Sequence, residues 1–187
     1  MKQIIYILIL VLSILQTDFS FGQETSFLDS IQINKFLENP KLNRNIKEFY
    51  SGQFKISDDN KTQELLDIIT EKNAEFFPVY FNTLNKIVQH SDGALAEKLP
   101  EFCFKMIYNY PVETFEFFSR NHKLLLDYAD LLGYEFYFKE NGTSDLKMKF
   151  NEFQEYLKTR IDLNEENTNK AYSEFVIEVK ETMKKMN

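Results

Sequence analysis

The residues of this chain with chemistry beyond packing are two histidines, one cysteine and a few placed carboxylates. His90, Ser91 and Asp92 are consecutive, and Glu97 follows one or two helical turns on. Zinc needs three or four ligands converging at about 2 Å. The other histidine, His122, belongs to a separate segment. The spacing reads instead as one helix ending and another starting. A protonated His90 complements the negative end of a helix dipole, and Asp92 caps the next N-terminus. No metal ligand set is expected. Ser91 between His90 and Asp92 does not make a triad, because triad members converge through tertiary structure and neighbours in a turn point apart.

Cys103 sits in Phe102-Cys103-Phe104. Apolar surroundings raise a thiol pKa and suppress its reactivity, so Cys103 is expected to be a small buried core residue. As the only cysteine it has no internal disulfide partner. Glu165-Glu166, after Asn164, suggests acid–base work, but such pairs need partners across a cleft. Two acids at the start of a helix are expected from the dipole alone. No catalytic residue and no cofactor is nominated. A hydrolase using a carboxylate pair remains a third reading, requiring two convergent acids with displaced pKa values.

Aromatic density is the feature that ordinary packing explains least. The chain has 19 Phe and 10 Tyr but no Trp. Phe76-Phe77 stand with Tyr80-Phe81, Phe115 with Phe117-Phe118, and Tyr134 with Phe136-Tyr137-Phe138. Adjacent helical residues point roughly 100° apart, so these sets do not all face one core. Either their helices are central and buried on two sides, or an aromatic groove stays open to a partner or ligand. The candidate binding set is Phe76, Phe77, Tyr80, Phe81, Phe115, Phe117 and Phe118. Tyr suits such a surface because it covers area with few rotatable bonds and carries a polar tip.

The formal net charge of -7 argues against nucleic acid, whose phosphates call for a basic footprint. It argues equally against electrostatic docking on anionic membrane. Lys2 precedes an apolar run from Ile4 to Leu15, which is too short for a bilayer-spanning helix of about 20 residues. Ser20 and Gly22 put small residues where a secretory leader is cut. Residues 1–22 are therefore expected to be a cleavable signal, and residues 23–187 a single exported helical domain. No cysteine stands immediately after the expected cut, the only one being Cys103 far downstream, so a lipoprotein is not expected.

Apolar positions recur at helical spacing through that domain. Leu146, Phe150, Phe153, Leu157 and Ile161 form one stripe; Ala171, Phe175, Val179, Met183 and Met186 form another; a third runs from Phe77 through Val88. Asp58-Asp59-Asn60 and Asn73 offer N-caps, and Pro78 and Pro111 suit first turns. Pro100 predicts a kink or break within a helix from about Ala94 to Asn109. Asn141-Gly142 between alternating segments admits a β-hairpin, although helix–turn–helix fits better because a lone hairpin is marginal. Seven Glu-Phe pairs, from Glu48 to Glu174, recur without a fixed period. The expectation is an all-α fold: an irregular bundle or short α–α superhelix of about six to eight amphipathic helices.

The leading functional expectation is a non-enzymatic module binding a protein or peptide. The alternatives are a carrier of a small apolar ligand and an acidic inhibitor or immunity-like protein facing a basic partner. The sequons at Asn60 and Asn141 are unremarkable in a chain so rich in Asn.

Overall fold

The computed structural model of the protein describes residues 28–91 and 93–186. The expected leader, and Asp92 beside His90, lie outside the described residues. Those residues form nine helices and no strand: α1 (Ser30–Glu38), α2 (Arg44–Tyr50), α3 (Asn60–Thr70), α4 (Phe77–His90), α5 (Gly93–Asn109), α6 (Pro111–Phe118), α7 (His122–Glu140), α8 (Phe150–Lys158) and α9 (Glu166–Lys185). The fold is all-α, with one helix more than the upper end of the six to eight expected from the sequence.

Helix starts follow the residues that can satisfy free backbone N–H groups. Asp59 Oδ1 accepts from the Thr62 amide at 2.7 Å, capping α3. Asp29 and Gln32 form a reciprocal capping box on α1. Asn73 Oδ1 accepts from Phe76 N–H at 3.3 Å, one residue ahead of α4, and Pro78 and Pro111 occupy the first turns of α4 and α6.

Two alternatives that the sequence left open, a break at Pro100 and a hairpin at Asn141-Gly142, do not form. Pro100 does not break its helix: α5 runs from Gly93 through Asn109 with Pro100 inside it. Leu99, Phe102, Cys103 and Met106 are all buried around it, and that packing offsets the missing hydrogen bond. Around Asn141-Gly142 there is no hairpin. Asn141 ends α7, Gly142 adopts φ +77°, and Thr143 N–H donates back to the Phe138 carbonyl at 2.9 Å. A left-handed glycine serves a helix end as well as a strand turn. The stripe from Leu146 to Ile161 is buried at all five positions, yet only Phe150–Lys158 is helical. Burial, and not helicity, is what that spacing recorded.

Helix α4 is enclosed on several sides. Asn82, Thr83 and Asn85 are buried along with its apolar residues. Asn82 Nδ2 donates to Tyr50 Oη at 2.6 Å, and Tyr128 Oη donates to Asn85 Oδ1 at 2.8 Å. These bonds satisfy the Asn82 amide nitrogen and the Asn85 amide oxygen, although Asn85 Nδ2 is buried with no hydrogen-bond partner among the described residues. Helix α7 packs most extensively against α9 and next against α5. A Cβ added at Gly133 would lie 2.6 Å from Thr182 Cβ, so the glycine is what allows α7 and α9 to approach. Thr182 Oγ1 donates to Asp130 Oδ1 at 2.6 Å along the same seam.

Candidate functional site

All seven residues of the expected aromatic binding set are buried: Phe76, Phe77, Tyr80, Phe81, Phe115, Phe117 and Phe118. Phe77 stacks on Phe81 with ring centroids 5.5 Å apart, and Phe81 meets Phe117 edge-on at 5.2 Å. Phe118 packs on Tyr128 at 5.2 Å and Phe115 on Phe175 at 5.4 Å. The set joins α4, α6, α7 and α9 into one core and offers no open surface. Phe76 and Phe77, although adjacent, are both buried because α4 has neighbours on more than one side.

Other sequence candidates also fall into structural roles. Cys103 is fully buried, and desolvation pushes its thiol pKa far upward. Glu165 caps α9 by accepting from the Asn167 and Thr168 amides, and those bonds hold its carboxyl below the usual range. His122 Nδ1 lies 3.3 Å from Glu174 on an exposed face. Among the described residues no group of three His, Cys, Asp or Glu side chains is placed to hold a metal ion.

The open apolar surface lies elsewhere, between α5 and α7. Tyr134 and Phe138 are 47% and 42% exposed, and no other described Phe or Tyr is exposed to a comparable degree. They sit one turn apart on α7, with Leu131 one turn before. Ala96 and Pro100 of α5 form the opposite wall of a recess of about 530 Å³. A second recess, about 310 Å³, shares Ala96, Leu131 and Tyr134 and extends the first towards the start of α7. Because Pro100 has no N–H, the Ala96 carbonyl lacks the partner that position 100 would supply in an ordinary helix.

The local sequence explains this arrangement. Leu124, Leu125, Tyr128, Ala129, Leu132 and Phe136 place the buried face of α7 at helical spacing. Leu131, Tyr134 and Phe138 add apolar residues on a second face, so α7 has more apolar surface than its neighbours cover. Leaving each ring half in water forgoes on the order of 1 kcal/mol of burial. Of the three aromatic clusters, the candidate set omitted this third one, in which Phe136 is buried while Tyr134 and Phe138 are not.

Four carboxylates border the joined recess: Glu97, Asp127, Asp130 and Glu135. Burial raises the Asp127 pKa, with a further push from Asp130, against a smaller pull from Lys123. Both aspartates project from α7, on one wall. Glu135 shares that wall, and Glu97 stands across from it on α5, so carboxylates border both sides.

A third cleft, about 790 Å³, lies between α2, the loop before α3, and the α4–α5 junction. Its floor includes Phe49, Tyr50, Ile56 and Leu95, with Lys55 and Asp58 among the polar residues around it. No described helix is long and apolar enough to cross a membrane. No protein-family model matches the chain, no curated protein is similar to it in sequence, and no solved structure is similar to it in fold.

Proposed function

We propose that this protein is a non-enzymatic helical interaction module that receives a protein or peptide partner in the groove between α5 and α7. The observation carrying this reading is the exposure of Tyr134 and Phe138 beside Leu131 and Pro100, in a protein that draws its other described aromatics inward. Rigid aromatics at the edge of an apolar recess are what binding surfaces use as anchors. The leader expected over residues 1–22 makes this an exported module in the same proposal.

A photo-crosslinking side chain at position 138, in protein made by its own host, tests the reading. Position 177 is the control, because Ile177 is more exposed, at 60%, but lines none of the recesses described above. A discrete adduct from position 138 and none from 177 is expected. Equal labelling from both positions, or none from 138, would count against the groove.

The cleft beside α2 supports a second reading, a carrier of a small apolar ligand. Its volume of about 790 Å³ falls within the range of small-molecule sites. Recovery of a bound apolar compound from native protein, lost on Ile56→Asp, would favour the carrier.

A further inference from the structure

We infer that the segment received by the α5–α7 groove is a cationic amphipathic helix; this rests on the interaction reading above. Leu131, Tyr134 and Phe138 are spaced by three and four residues and span roughly 10 Å of helix axis. A ridge of that spacing meshes with apolar side chains repeating at the same intervals on a facing helix. The groove therefore fits about two turns of partner helix.

The charge around the groove selects the partner's polar face. Glu97, Asp127, Asp130 and Glu135 border it, against Lys123 as the ammonium among its lining residues. Lys123 is 82% exposed at its side chain and stands 3.9 Å from Asp127, so the pair neutralises little. Asp130 accepts from the Thr182 hydroxyl and Glu135 from the Ser144 hydroxyl. Both donors are neutral hydroxyls, so no cation offsets these carboxylates through those bonds. Lys139, next to Phe138, directs its ammonium to the Ser144 carbonyl at 3.4 Å. A partner with Lys or Arg beside its apolar stripe would meet these acids. An acidic partner would be repelled.

The test uses the full chain and three labelled peptides of about 14 residues, roughly 21 Å long when helical. Each carries Leu at positions i, i+3, i+4 and i+7, with Lys, Gln or Glu elsewhere, and binding is read by fluorescence anisotropy. The Lys peptide should bind at least about tenfold more tightly than the Glu peptide, and more weakly as salt rises. Glu97→Lys should weaken it about three- to fivefold, whereas Glu64→Lys on α3, an equal change in net charge, should weaken it less than about twofold. The double variant Tyr134→Ser/Phe138→Ser should lose binding while keeping its helical signal and melting temperature.

If all three peptides bind alike and the double variant loses them all, the groove stands and the cationic inference is overturned. If the double variant binds the Lys peptide normally, or Glu64→Lys matches Glu97→Lys, general charge attraction explains the binding and the inference fails. Failure of all three peptides to bind overturns the inference, and the crosslinking result at position 138 then decides the groove independently.

Discussion

The two sides of α7 use similar residues to opposite ends. Towards α9, Gly133 removes a side chain so that backbones approach, and Thr182 fills the space and bonds to Asp130. Towards α5, Leu131, Tyr134 and Phe138 have no helix laid over them. One side gains stability from close packing; the other leaves apolar surface uncovered at a stability cost. A fold under selection for stability alone would cover both, so the open side is where function is sought.

The comparison is broken most sharply by truncating one ring on each side. Phe175 on α9 is fully buried among Phe115 and Phe118, so Phe175→Ala should cost about 3–5 kcal/mol. Phe138→Ala should stay within about 0.5 kcal/mol of the parent, as surface changes do. Urea denaturation measures both, and comparable losses would mean that the groove is core.

Next in size is Gly133→Ala. The new Cβ would meet Thr182 Cβ at 2.6 Å and the Val179 carbonyl oxygen at 3.1 Å. Overpacking of this kind costs about 1–3 kcal/mol, more than the helix-propensity gain of about 1 kcal/mol. A stabilised Gly133→Ala protein would show that the α7–α9 seam is looser than described.

Asp127 sharpens the comparison on the groove side. Burial raises its pKa above the ordinary 3.8, outweighing the pull of Lys123, with a smaller push from Asp130. A carboxyl with a raised folded pKa favours folding less once it ionises, so stability falls as pH rises through the folded value. Asp127→Asn should therefore raise the melting temperature at neutral pH, with the gain fading below about pH 4. The smallest effect is at the α9 cap. Glu165 has a lowered pKa, so its contribution is present above the ordinary carboxylate range and lost as pH falls through the folded value. Glu165→Gln should melt earlier at pH 7, and the difference should close in acid.

The helical class, the cap at Asp59, the acids at the start of α9 and the buried stripes were legible because periodicity and backbone satisfaction are local. The fate of the aromatics was not. Phe76-Phe77 with Tyr80-Phe81, and Tyr134 with Phe136-Tyr137-Phe138, look alike in sequence, as clustered aromatics spread over more than one helix face. Which cluster is covered depends on how many helices surround α4 and how few lie over the outer side of α7. That is decided by tertiary packing. Gly133 was the overlooked signal: a glycine inside a strongly apolar helix marks a close approach on one face, which draws neighbours there and leaves another face open.

The most direct measurement is uptake of a neutral solvatochromic dye, such as Nile red, by the folded protein and by Tyr134→Ser/Phe138→Ser. An open groove predicts blue-shifted emission with the parent and its loss in the variant, with circular dichroism and melting temperature unchanged. Undiminished emission from the variant, or no uptake by the parent, would contradict the account.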